Sequence, residues 1–243
     1  MKLIQLNAWG GRLDNTLSDF LEQERPDIFC GQEIISYPKN HSILFLSLED
    51  MQRITKLDNS VFGATASFPF MKGYAEFGNT IISRFPIAKS STIFTNLEFT
   101  ENFSPKEHDY NIRNFLHTVI PRKGKSLNIV THHGHHVHEH KNGNEETDRQ
   151  MKMIADYIQT LEGPVILSGD FNLHPGSKSL LPINQLMTNL SDKYSLTTTR
   201  NELTSKTEVC DHIFVNKDIK VKKFYAHSRI VSDHQALVME FEI

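Results

Sequence analysis

The sequence has 243 residues, of which 38% are hydrophobic and 23% charged, with a formal net charge of −3 at pH 7. This composition is that of an ordinary folded protein and excludes a disordered chain. The small negative charge gives no overall basic surface, so general electrostatic attraction to a polyanion is not indicated, although a local basic patch is compatible with it. The predicted elements, taken in chain order, locate the polar residues.

Cysteine usage and hydropathy bear on the compartment. The two cysteines, Cys30 and Cys210, both lie in apolar runs, so we interpret them as buried thiols rather than as a disulfide framework or a metal site. Residues 2–7 become polar too early for a signal peptide, and no apolar run reaches the length of a membrane-spanning helix. We therefore expect a cytoplasmic protein without a transmembrane segment.

The first part of the chain predicts strands that end in polar residues. Residues 3–6 are apolar and stop at Asn7, after which two glycines permit a sharp turn. An amphipathic helix follows, with Asp14 as its candidate cap. Residues 27–33 are again apolar and then polar, which predicts a second strand that Glu33 closes. A solvated strand end is the ordinary explanation of one such carboxylate.

The next part carries weaker signals. Residues 36–62 are mixed, with apolar side chains that could pack under a loop or a short helix. Strands are predicted for 61–68 and for 78–87, and Asn79 opens the second of them. Residues 94–109 have the polar composition of a surface loop, which is either functional or a solvated connection.

A histidine-rich tract follows a predicted hairpin of residues 113–120 and 126–131, whose turn is basic. The tract, residues 132–140, holds six of the thirteen histidines. Histidine clusters can bind transition metals, but zinc sites need a fixed geometry that a flexible loop does not supply. We expect His132, at the strand end, to belong to a catalytic site. That the tract binds a second metal, or shifts the register of the functional histidine, stays an alternative.

The segment Ser168-Gly169-Asp170-Phe171-Asn172 is the most informative stretch. A well-marked helix precedes it, and the apolar run 164–167 predicts a buried strand that delivers Asp170 and Asn172 to its carboxyl end. Asp170 can accept a proton or bind a metal, and the amide of Asn172 can donate to an anion. Because Gly-Asp-x-Asn is also common turn chemistry, this segment alone does not decide between a site and a turn.

Two more polar residues near the C-terminus form a predicted pair. After a predicted helix over 180–190, the strand 208–215 is apolar apart from two residues, one of which is Asp211. An unpaired buried charge is costly, so Asp211 needs a partner. His234, just before the terminal strand, is the natural candidate.

Taken in order, these polar residues resemble the endonuclease/exonuclease/phosphatase superfamily, which has the deoxyribonuclease-I-like fold. The matching motifs extend from Leu6-Asn7 to Ser232-Asp233-His234, and Gln32-Glu33 and Gly169-Asp170-Phe171-Asn172 are among the most specific. The resemblance implies an α/β fold, a four-layer sandwich of two packed, mostly antiparallel β-sheets flanked by helices, in a single domain of residues 1–243. It also implies divalent-metal-dependent cleavage of phosphoesters. The matching site residues are Asn7, Glu33, Asn79, His132, Asp170, Asn172, Asp211, Asp233 and His234.

The resemblance further implies a metal site. Glu33 would be the principal ligand of Mg²⁺ or Mn²⁺, with Asn7 beside it and Asp233 near the ion. Oxygen ligands of this kind suit hard divalent cations.

The remaining residues would act on the phosphoester. By the same resemblance, Asp170 would orient or deprotonate the attacking water, and Asn172 would hold that water or a phosphate oxygen. His234, aligned by Asp211, would donate to the phosphate in the transition state. The other contacts to the phosphate would come from His132 and Asn79.

Two histidines depart from the family pattern. His133 stands where relatives often have an apolar residue, and His212 stands where an aromatic residue is common. Either departure could change the metal preference.

The substrate stays open at this point. A nuclease-like phosphodiesterase is the leading hypothesis, because the basic turn 122–125, with Lys141 and Arg149, could contact a nucleic-acid backbone. A small-molecule or lipid phosphatase or phosphodiesterase, acting on inositol phosphates or like a sphingomyelinase, is the second. The third is a non-catalytic protein that binds metal through the histidine tract. We expect a monomer that binds a phosphoester.

Overall fold

Two six-stranded β-sheets form the centre of the molecule in the computed structural model, which describes residues 1–37 and 44–243. The strands are β1 Lys2–Asn7, β2 Ile28–Ser36, β3 Asn59–Phe70, β4 Gly73–Ser83, β5 Lys89–Asn96, β6 Arg113–Arg122, β7 Lys125–His133, β8 Val165–Asp170, β9 Thr188–Asn189, β10 Asp211–Val215, β11 Lys220–Ala226 and β12 Leu237–Glu242. The first sheet has the order β11-β12-β1-β2-β4-β3, and the second has the order β5-β6-β7-β8-β10-β9.

Each sheet has one parallel pair at its centre, and the other neighbouring strands are antiparallel. The parallel pairs are β1 with β2 and β7 with β8. Because parallel strands end at the same edge of a sheet, Asn7 and Glu33 come together at the edge of the first sheet. Their counterparts in the second sheet are His133 and Asp170, which are partners in the register. The two parallel pairs therefore present four polar residues at one end of the molecule.

Helices cover the outer faces of both sheets. They are α1 Asp14–Glu24, α2 Leu48–Thr55, α3 Glu145–Gln159, α4 Leu181–Asn184 and α5 Leu190–Lys193. Phe20 of α1 and Met51 of α2 pack on the first sheet, and Met151 and Ile154 of α3 pack on the second. The predicted fold class, an α/β sandwich of two sheets flanked by helices, is confirmed.

An apolar layer joins the inner faces of the two sheets. It contains Leu3 and Ile28 from the first sheet together with Leu116, Ile129 and Ile213 from the second, and all of them are fully buried. Removing a side chain of this size from water stabilises the fold by about 1.5–3 kcal/mol. Cys30 belongs to the same layer, and Cys210 is also buried; both thiols are free, as predicted.

Several local predictions differ from the structure. Glu33 does not close β2, which continues to Ser36; it lies at a bulge in the pairing with β4 and has a positive φ of 53°. Asp14 is the first residue of α1 rather than its cap, and no side chain caps that helix. The edge strand β5 was not predicted, because its polar side chains are mostly exposed and give no apolar run.

The predicted helix over 180–190 is broken into short pieces. Leu180, Ile183 and Leu190 are buried at helical spacing, as the pattern indicated. The helix is interrupted because Asn189 pairs with Phe214 of β10 and caps α5 with its side chain. The weak signals of residues 36–62 include α2, and part of that range, 38–43, lies outside the described residues.

Among the described residues, no helix is long and apolar enough to cross a membrane.

Candidate active site

A cavity of about 310 Å³ lies at the end of the molecule where the central strands finish. Five of the nine predicted site residues line it: Glu33, Asp170, Asn172, Asp233 and His234. The other lining residues are Trp9, Tyr110, Arg113, His133, His136, His138, Arg200 and Lys206. A larger cavity of about 490 Å³, beside the start of α3, contains none of the predicted residues.

Asp211 and His234 form a buried pair behind this cavity. The Nδ1 atom of His234 lies 2.8 Å from Oδ2 of Asp211, and Nε2 lies 3.6 Å from Oδ2 of Asp170. The antiparallel register of β8 and β10 sets Asp211 directly opposite Asp170. The imidazole therefore lies between two carboxylates that come from neighbouring strands, and Asp211 has the partner that its burial required.

The charges of this group depend on one another. Burial by itself would lower the pKa of His234, but the carboxylates of Asp211 and Asp170 raise it above its usual value. Burial would likewise raise the pKa of Asp170, yet His234, His133 and Arg200 hold it well below its usual range. These contacts favour a protonated imidazole beside an ionised Asp170, whereas Arg200, whose Nη1 atom lies against Nε2 of His234, opposes that protonation.

A chain of buried amides and hydroxyls supports Asp211 from the first sheet. Gln5 Nε2 donates to Oδ1 of Asp211 at 3.0 Å and to Oε1 of Gln32 at 2.8 Å. Gln32 Nε2 in turn donates to Thr131 Oγ1 at 2.8 Å. Gln5 lies in the middle of an apolar strand. An amide at a position predicted to be buried needs a hydrogen-bond partner, and this is the signal that could have identified Gln5. It fixes Asp211 by spanning the two sheets.

Asn7 connects the two carboxylates that face the cavity. Its Nδ2 atom donates to Oε1 of Glu33 at 3.0 Å and to Oδ2 of Asp170 at 3.1 Å. The bulge at Glu33 aims its side chain into the cavity instead of along the sheet. Asn172 also has a positive φ, and its backbone N–H donates to Oδ1 of Asp170 at 2.9 Å. The backbone conformations of Glu33 and Asn172 thus orient these two residues toward the site.

The oxygen donors at this position suit a hard divalent cation. Burial raises the pKa of Glu33, and the neighbouring Asp170 adds to this effect, although Asn7 opposes it. Two carboxylates that share one amide donor repel each other, so a cation between them would relieve the repulsion. Within the described residues, the ligand atoms of Asp170, Asp211 and His234 also lie within 4.8 Å of one another. The second group is the poorer metal site, since Asp211 and His234 already bond each other.

The histidine that reaches the cavity is His133 and not His132. His133 Nε2 lies 3.9 Å from Glu33 Oε1 and 3.8 Å from Asp170 Oδ2. Successive residues of β7 face opposite sides of the sheet, so His132 is fully buried, with Nδ1 3.1 Å from the carbonyl oxygen of Asn114. Burial lowers the pKa of His132 to about 4, which keeps it neutral. The predicted contact of His132 with the phosphate stays a prediction, and the structure places the side chain of His133, not that of His132, in the cavity lining.

Asn79 also lies outside the set of side chains that line the cavity. It is buried in the middle of β4, and its Nδ2 atom donates to Oδ1 of Asn114 at 2.8 Å. Its amide thus joins the two sheets behind the site, and the predicted contact of Asn79 with the phosphate stays a prediction. Asp233 does line the cavity, where Oδ2 lies 3.4 Å from Nη1 of Arg200.

Several cavity residues were not predicted from the sequence. Arg113, at the start of β6, is buried and donates from Nε to the carbonyl oxygen of Gly134 at 2.7 Å. Burial lowers its pKa, and Glu33 and Asp170 oppose that effect. A charged residue at the start of an apolar strand was the available signal for Arg113. Arg200 and Lys206 lie in a polar segment without periodicity, and only the fold brings them to the cavity.

The histidine tract separates into members with different surroundings. His136 and His138 line the cavity, and both contact Tyr110, with 3.4 Å between Tyr110 Oη and His136 Nδ1. His135 and His140 have other neighbours: the backbone N–H of His135 donates to Gln150, and His140 lies next to Asn142. In the described part of the chain, the tract forms no cluster of three histidines or carboxylates around one point.

Comparison with known proteins places this site in a family. The model of the endonuclease/exonuclease/phosphatase family matches residues 4–234. The chain belongs to this family. Its members hydrolyse phosphoester bonds, and the family generally uses a divalent metal. No curated protein matches the sequence.

Solved structures of low sequence identity share the fold. A family member from Leptotrichia buccalis is 19% identical over 100% of both chains, with a TM-score of 0.69. A mannosyl-6-phosphatase from Bacteroides thetaiotaomicron is also 19% identical over 100% of both chains, with a TM-score of 0.70. The catalytic domain of human Nocturnin, solved with a bound sulfate, is 16% identical over 100% of this chain and 94% of its own, with a TM-score of 0.70.

Proposed function

We propose that this protein is a divalent-metal-dependent phosphoesterase that uses Asp170 to activate water. The observation that carries the proposal is the position of Asp170, whose carboxylate contacts Asn7 on one side and lies 3.6 Å from His234 on the other. A general base, an acidic hydrogen-bond donor and a set of oxygen ligands thus face one cavity. Hydrolysis of an anionic phosphoester needs these three components.

The metal would be held by Glu33, with Asn7 and Asp233 close to it, and Mg²⁺ or Mn²⁺ suits such oxygen atoms. When bound, the ion would neutralise charge on the phosphate and lower the pKa of water. In the free protein, Nδ2 of Asn7 donates to both carboxylates. The amide of Asn7 would therefore have to present its oxygen instead in order to act as a ligand.

The protein residues would perform the proton transfers. Asp170, kept ionised by its cationic neighbours, would accept a proton from the attacking water. Lys141 Nζ donates to Asn172 Oδ1 at 2.8 Å and thereby fixes the side chain of Asn172. In that position Asn172 would orient the water or a phosphate oxygen. His234 would donate to a phosphate oxygen as negative charge increases there, and Asp211 would stabilise its protonated form.

His133 replaces His132 in this proposal. Its Nε2 atom lies less than 4 Å from both Glu33 and Asp170, at 3.9 Å and 3.8 Å, so it can contact a phosphate bound between them. Burial and the nearby Arg113 lower the pKa of His133 well below its usual value. A neutral imidazole at this position would donate a hydrogen bond without adding charge.

For the substrate class, the fold favours a small phosphoester over a nucleic acid. The basic turn at Lys123, which supported the nuclease hypothesis, lies at the opposite end of β7 from His133 and borders a different cavity with Phe241. Arg149 is paired with Glu146. Of the three basic features, only Lys141 adjoins the site.

Activity assays with a matched inactive variant test the proposal. The purified protein should hydrolyse an activated phosphate ester with Mg²⁺ or Mn²⁺ and lose this activity in EDTA. Asp170→Asn should reduce kcat by about 10³-fold or more, because it removes the base while keeping the shape of the side chain. Asp156→Asn, on the exposed face of α3, is the control and should match the unmodified protein. Equal turnover in all three proteins would refute the proposal.

A further inference from the structure

We propose that Arg200 and Lys206 form an anion clamp for a terminal phosphate, so that the preferred substrate is a phosphomonoester of a small molecule. This inference rests on the proposed function and specifies its substrate class. The two residues belong to the segment 197–207, for which the sequence suggested no role. Both line the cavity that contains Asp170 and His234.

The backbone fixes the position of Arg200. Residue Arg200 forms an isolated antiparallel bridge with His234, and the carbonyl of the preceding Thr199 accepts a bond from the N–H of Gln235 at 2.8 Å. Asn201 Nδ2 donates to the carbonyl oxygen of Ser232 at 2.7 Å. Three successive residues, 199–201, are thus paired with the segment that carries His234. This pairing fixes the backbone of Arg200 beside that of the histidine.

The guanidinium of Arg200, a residue that lines the cavity, has one donor without a partner among the described residues. Its side chain is only 4% exposed, and Nη1 contacts Asp233 Oδ2, at 3.4 Å, and His234 Nε2. Its Nε atom is buried with no hydrogen-bond partner among the described residues. An unpaired buried donor is costly, and a small shift of the side chain toward an anion in the cavity would give this N–H an acceptor. A phosphate oxygen is the acceptor for which a guanidinium is suited.

Lys206 lines the same cavity and contacts the histidine tract. Its Nζ atom lies 3.5 Å from Nε2 of His136, and Tyr110 contacts both His136 and His138. These contacts join the segment of Lys206 to the histidine tract at the cavity. A site bridged in this way, with a volume of about 310 Å³, accommodates a small ester rather than a duplex.

The permanent charges of the cavity also favour a dianion. Three cations, Arg113, Arg200 and Lys206, face three carboxylates, Glu33, Asp170 and Asp233. The protonated His234 is balanced by Asp211 behind it, so the fixed charges balance. A divalent cation would then leave an excess of two positive charges, which a phosphomonoester dianion neutralises and a phosphodiester monoanion does not. Without Arg200 the cavity has one positive charge fewer. This loss weakens the binding of the dianion more than that of the monoanion.

A comparison of two esters with the same leaving group tests the clamp. We expect the unmodified protein to have a higher kcat/KM for p-nitrophenyl phosphate than for bis(p-nitrophenyl) phosphate, and not to cleave duplex DNA. Arg200→Met should lower kcat/KM for the monoester about 10-fold more than for the diester, a difference of about 1.4 kcal/mol. Arg200→Lys should restore part of the difference, and Arg229→Met, which removes an arginine bound to Asp19 and Gln23 on α1, should change neither ester.

Calorimetry with inorganic phosphate provides a readout that does not depend on turnover. In Mg²⁺, Arg200→Met and Lys206→Met should each weaken phosphate binding several-fold, while thermal unfolding confirms that the variants are folded. Equal losses on both esters, or a preference of the unmodified protein for the diester, would overturn the clamp but leave the phosphoesterase intact. If neither ester were hydrolysed with any metal, the proposed function itself would fail.

Discussion

The inner group of the site, Asp170, Asp211 and His234, differs in construction from the rim formed by Tyr110, His136 and His138. The inner residues are almost fully buried and lie on or beside strands whose register is fixed by backbone hydrogen bonds. The rim comes from two loops, and Tyr110 and His138 are exposed. Strand pairing positions the groups that react, whereas loops supply the groups that meet the substrate first. The two regions should therefore respond differently to mutation.

Removing the charge of Asp211 is the strongest test of the inner group. In Asp211→Asn, the influence that raises the pKa of His234 is lost, while burial still lowers it. In the proposed mechanism the protonated imidazole is the active form. It would lose its proton at a lower pH, so the alkaline limb of the kcat/KM profile should move to lower pH. We expect kcat/KM to fall about 10²-fold or more at pH 8, within the range of general acid catalysis.

The pH profiles of both proteins, recorded with the same metal, check this prediction. Asp218→Asn, in the exposed turn before β11, is the matched control for loss of one carboxylate. An alkaline limb at the same pH in Asp211→Asn and the unmodified protein would show that Asp211 does not set the protonation of His234.

Two adjacent histidines offer a sharper comparison. His133→Phe should reduce kcat about 10- to 100-fold, because the ring faces Glu33 and Asp170. His132→Phe should change kcat less than about 3-fold, because the side chain lies in the core, and the aromatic ring keeps its contact with Phe171. A larger effect on kcat at His132 than at His133 would show that His132, and not His133, acts on the substrate.

His132 should instead affect stability at acidic pH. Its pKa is lowered to about 4 by burial, so the unfolded chain takes up a proton between the ordinary value of 6.5 and that value while the folded protein does not. Above pH 6.5, His132 therefore does not lower the free energy of unfolding. As the pH falls from 6.5 toward 4, it lowers the free energy of unfolding by up to about 3 kcal/mol. Urea unfolding at pH 7.5 and 5 should show a smaller loss of unfolding free energy for His132→Phe than for the unmodified protein.

The smallest effect on catalysis is expected at the rim. The double variant His136→Ala, His138→Ala should keep kcat within about 3-fold, since neither ring contacts Asp170 or His234 in the inner group. It should weaken binding of Zn²⁺ in calorimetry, because burial and nearby cations lower the pKa of His136 to about 3 and leave its imidazole neutral and able to bind metal. The matched variant His135→Ala, His140→Ala should retain Zn²⁺ binding. Unchanged binding in both would exclude the tract as a metal site.

Much of this architecture could be predicted from the sequence because its signals are local. The apolar runs before Asn7 and Asp170 predicted central strands, and the polar residues that follow them predicted the edge at which a site forms. The pairing of Asp211 with His234 followed from the cost of burying a lone carboxylate, and the structure brings them to 2.8 Å. Such arguments need only the neighbours of a residue along the chain.

Other features depended on contacts between distant segments. The bulge that aims Glu33 into the cavity arises in the pairing of β2 with β4, and Gly31 at its start is the only mark of it within β2. Which of His132 and His133 lines the cavity could not be predicted, because alternation along β7 fixes only that adjacent side chains face opposite ways; the packing of the second sheet decides which of the two enters the cavity.

The sequence by itself determined the two sheets, their helical cover and the inventory of groups capable of phosphoester chemistry. Only the tertiary structure decided which histidine reaches Asp170, that Gln5 holds Asp211 from the other sheet, and that Arg200 enters the cavity. The physical reason is that hydrophobic periodicity is written along the chain, whereas the position of a polar side chain depends on the partners that strand register and loop packing bring to it.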